Sequence, residues 1–344
     1  MDYSGDLVEV LGEYLLPLRY IEEFLSKSGV GAKVLVETPL GFKNVGLEVV
    51  RYLNNKGFRA YLSGQSVWGA CDFSVAGDYQ YVIHLGHALP PNIFRIISRN
   101  FRLKRGELND VIVVNIENGP TVLFSAVYYE PKPELINKAR KALSDLAQSS
   151  DKPFIAYALP FKLYAHKIAE ILNAPLAPGP ITGCFVHFPI PDTVLFIGSG
   201  YFYPLTFKLL RPKTTVYLFD VFRGVVENVD SVYRRYLAMK VKAIQEFGNA
   251  RLVGIVISRK PGQYRPDLIE TLTNRLRRLG KEFVIIDLSE ASPDYINNLP
   301  VDAVVNTACP RIGIDDLDRF MKPVVNAGDV LKVNSLDLSN LLVW

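Results

Sequence analysis

The chain has 344 residues, of which 49% are hydrophobic and 22% are charged, and its formal net charge is +4 at pH 7. This composition is typical of folded globular proteins and excludes a disordered chain, while so weak a positive charge does not predict nucleic-acid binding. No apolar run approaches the roughly 18 residues that a membrane helix needs, and residues 1–6 lack the basic start of a signal peptide. We therefore expect a cytoplasmic protein without membrane contact.

The first third of the chain predicts an α/β module. Apolar residues at helical spacing predict a helix over residues 7–28. Strands are predicted at 33–37, 59–63, 81–85 and 111–116, with one helix near 44–56 and another between the last two strands. Strands that are apolar almost throughout are typical of parallel sheets covered by helices on both faces.

Two further modules with the same alternation are predicted after it. The second has an apolar run at 121–129, helices at 134–148 and 161–172, and strands at 153–159, 193–197 and 215–219. The third has a long helix at 225–247 and strands at 252–258, 283–288 and 301–306, and its basic residues Arg234, Arg235, Lys240 and Lys242 predict a solvated helix face. The fold class is thus α/β, with three similar domains of mostly parallel strands and flanking helices over residues 1–119, 120–222 and 223–344.

Each predicted domain holds one cysteine in a loop: Cys71, Cys184 and Cys309. An odd number of widely separated cysteines fits a reducing compartment and excludes a disulfide framework. One interpretation is that each thiol packs as a small apolar residue. The other is that three thiolates meet at the axis between the domains and bind an iron–sulfur cluster with one iron left open to act as a Lewis acid.

Several other residues have both a structural and a functional interpretation. His84 and His87 are either a pair of metal ligands or a strand end with a structural histidine, and Gln263 either contacts a ligand or caps a helix. Small residues at Gly198, Ser199 and Gly200 allow a backbone to approach a ligand closely, although a plain turn explains them equally. Arg311 either pairs with Asp315 or holds a carboxylate through two hydrogen bonds.

Six short motifs resemble, in order, those of the archaeal diphthamide synthase family. Residues 307–316 read TACPRIGIDD, which is the most specific match, and residues 68–72 read WGACD around the first cysteine. The supporting matches are HLGHA at 84–88, GC at 183–184, GSGYF at 198–202 and GQ at 262–263. The resemblance covers essentially the whole chain.

The resemblance implies a fold, a reaction and a set of partners. It implies three α/β domains in a triangle around a central cluster site, where Cys71, Cys184 and Cys309 bind one [4Fe-4S] cluster, in a homodimer supplied by an external electron donor. It implies a radical enzyme that moves the 3-amino-3-carboxypropyl group of S-adenosylmethionine to imidazole carbon 2 of a histidine on elongation factor 2, the first step of diphthamide biosynthesis. We assign the S-adenosylmethionine pocket to Gly198, Ser199, Gly200, Gln263 and Arg311, with Asp315 as a supporting residue. No catalytic residue beyond the cluster ligands is assigned.

Some positions depart from the family pattern. Trp68 stands where tyrosine is usual, Tyr203 where histidine is frequent, and residues 220–222 read DVF in place of DPY. The residues after Pro323 lack the family's usual glutamate. Three alternatives therefore stay open: a quinolinate-synthase-like [4Fe-4S] dehydratase, a non-catalytic partner subunit of a cluster enzyme, and a three-domain nucleotide-binding protein whose cysteines only pack.

Overall fold

The computed structural model describes residues 7–332, except residues 28, 30, 76, 109, 149–151 and 315–316. In chain order the strands are β1 Val8–Val10, β2 Tyr14–Leu16, β3 Lys33–Thr38, β4 Arg59–Ser66, β5 Tyr81–Leu85, β6 Leu103–Leu108, β7 Val111–Ile116, β8 Thr121–Ser125, β9 Tyr128–Tyr129, β10 Phe154–Tyr157, β11 Thr193–Gly198, β12 Thr215–Asp220, β13 Val225–Asn228, β14 Leu252–Ser258, β15 Glu282–Leu288, β16 Ala303–Asn306 and β17 Val324–Asn326. The helices are α1 Leu18–Ser26, α2 Lys43–Asn55, α3 Pro91–Asn100, α4 Pro133–Lys138, α5 Arg140–Ala147, α6 Lys162–Leu172, α7 Phe202–Leu210, α8 Asp230–Asn249, α9 Ile269–Arg278, α10 Pro293–Asn297 and α11 Ala327–Lys332.

Three larger sheets are formed, and each has a parallel centre. The first has the strand order β4-β3-β5-β8-β7-β6, with β6 and β7 antiparallel to their neighbours. The second has the order β10-β11-β12-β13, with an antiparallel β13, and the third has the parallel order β15-β14-β16-β17. This confirms the α/β class with mostly parallel sheets, as near-continuous apolar strands require helices on both sheet faces.

The predicted helix over residues 7–28 is wrong in its first half. Residues 8–16 form the β1–β2 hairpin, and only α1 is helical. The chain reverses at Leu11 and Gly12, whose φ angles are 55° and 68°. A helix cannot continue through two left-handed residues, and pairing of β2 with β9 adds strand hydrogen bonds that local helical spacing does not reveal.

The predicted helix over residues 225–247 is shifted, because residues 225–228 form β13 and α8 begins at Asp230. The inward face of α8 carries Tyr233, Tyr236, Lys240, Ala243 and Phe247. Lys240 is thus buried, which corrects its assignment to the solvated face. Its ammonium pairs with Asp329 of α11 at 2.9 Å, and both side chains are only 3% exposed.

The apolar run at residues 121–129, which is predicted to begin the second module, contributes strand β8 to the first sheet. Strand β8 pairs with β5 on one side and with β7 on the other, so it is the fourth strand in the spatial order of that sheet. The predicted helix over 134–148 is divided into α4 and α5 at Ala139. The domain boundaries after residues 119 and 222 stay predictions.

Apolar side chains of each large sheet pack against its own helices. The largest core cluster joins β10, β11 and β12 with α5 and α6, and its fully buried members include Tyr164, Phe196 and Phe219. Within the described part of the chain, no helix combines the length and the hydropathy that a membrane span requires.

Candidate functional site

The three cysteine loops meet in one cavity. Cys71 lies in the loop after β4, Cys184 in the loop between α6 and β11, and Cys309 directly after β16, and all three line the same cavity. The loop to Cys184 reaches this edge because Ile181 donates a backbone hydrogen bond to Tyr157, the last residue of β10. Ligand sites in open α/β sheets lie beyond the carboxyl ends of the strands, which is where these thiols converge.

The loop of Cys71 is held by residues after β14. The backbone N–H of Gly262 donates to the Cys71 carbonyl at 2.9 Å, and Nε2 of Gln263 donates to the Cys71 Sγ at 3.3 Å. Lys260 forms a 2.6 Å ion pair with Asp72, whose side chain is 12% exposed. A Cβ at Gly262 would lie 2.6 Å from both Cα and Cβ of Cys71. The two segments are therefore packed so closely that only glycine fits between them.

The loop of Cys184 is held by the start of α7. Gly183 faces the ring of Phe202 so closely that a Cβ would fall 1.9 Å from a ring carbon. Oγ1 of Thr206 donates to the Gly183 carbonyl at 2.5 Å. The Thr182 hydroxyl lies 3.6 Å from the Cys184 Sγ. These contacts fix the backbone on the amino-terminal side of Cys184.

The loop of Cys309 is held by two buried asparagines at strand ends. The side chain of Asn306 accepts from the Ala308 N–H at 3.0 Å and donates to the Cys309 carbonyl at 2.9 Å. Nδ2 of Asn306 also contacts Oδ1 of Asn326 at 2.8 Å, and Asn326 donates to the Pro310 carbonyl at 3.1 Å. Asp329 accepts from the Asn326 N–H at 2.9 Å, which connects the loop to the buried Lys240 ion pair.

The electrostatics of the cavity suit thiolates bound to a positively charged group. Burial raises the pKa of Cys71, and it raises the pKa of Cys184 and of Cys309 to about 12. Each thiol also raises the pKa of another, because the three charges would repel across the cavity. Three bare thiolates are therefore unfavourable here, whereas coordination to iron deprotonates a thiol outright.

The donor set fits an iron–sulfur cluster better than a single ion. Among the described residues, no group of three His, Cys, Asp or Glu side chains is arranged to hold one metal ion. A cluster binds thiolates through different irons, so its ligands stand further apart. The remaining lining is largely apolar and includes Ile93, Leu159, Pro160 and Ile181. The cavity thus offers three soft ligands and few competing polar groups.

A second cavity of about 400 Å³ is lined in part by Cys309. Gln263 and Arg311, two residues predicted for the cofactor pocket, line it together with Trp68, Lys260 and Glu290. The guanidinium of Arg311 stacks on the rings of Trp68 and Phe202, 5.6 Å and 5.5 Å from their centres. The volume of this second cavity falls within the range of about 300–1,000 Å³ that is usual for small-molecule sites.

The other predicted pocket residues lie elsewhere. Gly198 ends β11, and Ser199 and Gly200 are exposed in the turn before α7. They do not line the two cavities that contain cysteines, although α7 carries Phe202 and Tyr203 into the cysteine cavity. Their assignment to the cofactor pocket stays a prediction. Asp315 lies outside the described residues.

Sequence reasoning did not assign Lys260, Glu290, Phe202 or Tyr203 to the site. Lys260 was visible as part of a loop after a predicted strand, next to Gln263, and position after a strand was a usable signal for it. Glu290 follows β15 and accepts from the Trp68 ring N–H at 3.3 Å. That contact joins residues far apart in the chain, so local sequence carries no sign of it.

Comparison with known proteins gives one consistent family. Residues 38–335 match the model of the diphthamide synthesis protein family. The 2-(3-amino-3-carboxypropyl)histidine synthase of Pyrococcus horikoshii is 24% identical over 88% of this chain and 85% of its own length. Subunit 1 of the human enzyme of that name is 32% identical over 44% of this chain, and the match spans only 35% of the human protein.

A solved structure shares the fold. The crystal structure of Dph2 from Pyrococcus horikoshii with a 4Fe-4S cluster has a TM-score of 0.74 and 20% sequence identity, and the alignment covers 96% of this chain and 93% of that one. The family model covers most of the chain and includes the three cysteines that line one cavity. This protein belongs to the diphthamide synthesis family.

Proposed function

We propose that this chain transfers the 3-amino-3-carboxypropyl group of S-adenosylmethionine to imidazole carbon 2 of a histidine on elongation factor 2. Cys71, Cys184 and Cys309 would hold a [4Fe-4S] cluster for this reaction. The observation that carries the proposal is that these three cysteines line one cavity. When reduced, the cluster supplies the electron that breaks the bond between the sulfonium and the aminocarboxypropyl chain.

The chain's own residues bind and orient the cofactor. Arg311 and Lys260 place two cations along the second cavity, where they suit the carboxylate of S-adenosylmethionine, and Glu290 suits its ammonium group. Cys309 lines both cavities. A molecule bound in the second cavity therefore lies directly beside the cluster position, which is the proximity that selective bond cleavage requires.

Apolar walls protect the reactive group. Leu159, Pro160 and Ile181 cover the cysteine cavity on the side of the second sheet, and Ile93 covers it on the side of the first. A water-poor site limits side reactions of a carbon radical. We further propose a homodimer supplied by an external electron donor, and a cytoplasmic location, in keeping with three unpaired cysteines.

The test is turnover under anaerobic conditions. The purified chain should be brown and should contain one cluster per polypeptide. Reduced protein, S-adenosylmethionine and elongation factor 2 should yield methylthioadenosine and an aminocarboxypropylated histidine. Release of 5′-deoxyadenosine, or a methylated histidine, would refute the proposed bond cleavage. Colourless folded protein after cluster reconstitution would refute the cluster.

A further inference from the structure

A line of polar side chains leads from the core of the first sheet into the cysteine cavity. It starts at Glu37 in β3, continues through His84 in β5 and ends at His87, which lines the cavity with the three cysteines. Glu37 is 2% exposed and His84 is fully buried. Burial of adjacent ionisable groups is costly unless they are paired. Their burial behind His87, which lines the cavity, therefore calls for a role beyond packing.

Each member of this line contacts the next. Oε1 of Glu37 accepts from the backbone N–H of Ser74 at 3.0 Å and from its hydroxyl at 2.5 Å. Oε2 of Glu37 lies 3.5 Å from Nδ1 of His84, which is an electrostatic contact and not a hydrogen bond, and Nδ1 has no hydrogen-bond partner among the described residues. Nε2 of His84 lies 2.9 Å from Nδ1 of His87. The line is thus continuous from a fixed carboxylate to the cavity.

The backbone turn at Gly86 directs the last member toward the cavity. Its φ angle is 80°, and a Cβ there would lie 2.6 Å from the ring of Phe42. Its N–H donates to the Ser125 carbonyl at 2.9 Å. Glycine is therefore required between the two histidines, and His87 leaves the sheet immediately beyond its carboxyl edge.

The order of contacts indicates one tautomer of each ring. The carboxylate of Glu37 is the group that Nδ1 of His84 faces, so we infer that this nitrogen carries the hydrogen and that Nε2 of His84 is the acceptor. Nδ1 of His87 then donates to it, which leaves the lone pair on Nε2 of His87. No described residue donates to that nitrogen. Burial lowers the pKa of His87 well below its usual value, so the ring is neutral and its lone pair is available.

We propose that His87 is the base that accepts the proton leaving carbon 2 of the target imidazole, and that His84 and Glu37 position it. This rests on the function proposed above. A carboxylate that fixes the tautomer of a histidine and stabilises its protonated form is the arrangement used by other enzymes for general bases. Here the same order of groups ends in the cavity of the three thiols.

The step balances in atoms and electrons. Addition of the aminocarboxypropyl radical to carbon 2 forms the new carbon–carbon bond and leaves a ring radical that still carries the original hydrogen. Aromaticity returns when this ring radical loses one electron and one proton. The electron goes to the oxidised iron–sulfur cluster left by cofactor cleavage, and the proton goes to Nε2 of His87. The bond between carbon 2 and hydrogen breaks, and no net electron is consumed.

The other titratable side chain on the cavity wall is unsuited to this task. Burial and then the negative charge of Cys184 raise the pKa of Tyr203 to about 12. Tyr203 is therefore a neutral phenol at physiological pH, and its oxygen is too weakly basic to accept the proton. Because the remaining wall is mainly apolar, solvent does not replace a fixed acceptor. His87 is the described group that fits.

The test compares His87→Gln with wild type on elongation factor 2 that carries deuterium at carbon 2 of the target histidine. The control is His166→Gln, which changes a histidine of α6 outside the cysteine cavity. We expect His87→Gln to keep its cluster and to release methylthioadenosine, while histidine modification falls about 10²-fold or more. The deuterium isotope effect on modification should become larger than in wild type. Freeze-quench electron paramagnetic resonance should show a radical on the target imidazole.

Other outcomes separate the two proposals. If wild type neither releases methylthioadenosine nor modifies histidine, the proposed function fails. If wild type is active and His87→Gln has the same yield of modified histidine per methylthioadenosine and the same isotope effect, the role of His87 is wrong. An electron paramagnetic resonance spectrum of the reduced cluster that already differs between His87→Gln and wild type before substrate is added would show that His87 contacts the cluster. This result would also overturn the role of His87 as the base.

A second variant tests the positioning residues and does not depend on folding of His87→Gln. Glu37→Gln replaces the acceptor by a side chain that can donate, so the tautomers of both rings should reverse. Nitrogen NMR of histidine-labelled full-length protein, recorded before the cluster is loaded, reports which ring nitrogen is protonated. We expect Nδ1 of His87 to be protonated in wild type and to lose that proton in Glu37→Gln. The same tautomer in both proteins would refute the relay.

Discussion

The contact of Gly262 with Cys71 gives the sharpest prediction for assembly of the site. In Gly262→Ala, the new Cβ would lie 2.6 Å from Cα and Cβ of Cys71 and 3.1 Å from Cγ2 of Ile93. The φ angle of Gly262 is outside the left-handed region, so the effect is steric and not due to backbone strain. Two of the three clashing atoms belong to or adjoin the backbone of Cys71, so side-chain rotation cannot relieve the overlap.

Relief requires that one of the two loops moves away. Overpacking of this kind costs about 1–3 kcal/mol. Movement also stretches the 2.9 Å hydrogen bond from Gly262 to Cys71 and the 3.3 Å hydrogen bond from Gln263 to the thiol. We expect the free energy of unfolding to fall by about 1–3 kcal/mol and the cluster to be bound incompletely.

The assay combines urea unfolding with iron and sulfide content under anaerobic conditions. The matched control is Gly248→Ala in α8, where an added Cβ has nothing within 4 Å. Alanine is the better helix former by about 0.5–1 kcal/mol, so the control should be neutral or more stable. Full cluster content and unchanged stability of Gly262→Ala would refute the close packing of these two loops.

Three further predictions concern the groups around the cysteines. Lys240→Met should lower the free energy of unfolding by about 3–5 kcal/mol, because Asp329 is then buried without its cation. In urea unfolding, the double variant Lys240→Met with Asp329→Leu should recover most of this loss. A Lys240→Met variant as stable as wild type would contradict the buried pair. Gln263→Leu removes a hydrogen bond to the Cys71 sulfur, so the reduction potential of the cluster should become more negative at unchanged cluster content. Redox titration followed by electron paramagnetic resonance measures this potential. An unchanged potential would exclude this contact in the loaded protein. Arg311→Lys should weaken binding of S-adenosylmethionine in equilibrium dialysis about tenfold, or about 1.4 kcal/mol, because lysine cannot form two parallel hydrogen bonds to a carboxylate. The control is Arg259→Lys, which changes an exposed arginine. Equal affinity of both variants would show that the carboxylate of S-adenosylmethionine binds elsewhere.

Apolar strand patterns predicted much of the fold because most central strands are buried on both faces. The strands at 81–85 and 111–116 agree with β5 and β7 residue by residue. Pairing across the chain could not be predicted in this way. The β1–β2 hairpin depends on its contact with β9, and β8 joins the first sheet through partners distant in sequence.

The candidate site was predictable where a motif names its residues. Gln263 and Arg311 line the cavity next to Cys309, and they stand in loops that follow strands. The supports behind them were not predictable. Lys240 is one of several basic residues on α8 by sequence, and only its contact with Asp329 distinguishes it. The same holds for Asn306 and Asn326, whose side chains meet only after β16 and β17 pair.

The central claim is that three cysteines from three separate loops hold one cluster. The chain has three cysteines in total, so each of Cys71→Ala, Cys184→Ala and Cys309→Ala leaves two thiols. The most direct measurement is the iron and acid-labile sulfide content of these variants and wild type after anaerobic reconstitution, with circular dichroism as the check on folding. We expect a [4Fe-4S] cluster in wild type and its loss in every folded variant. A full cluster in any one variant would contradict the account.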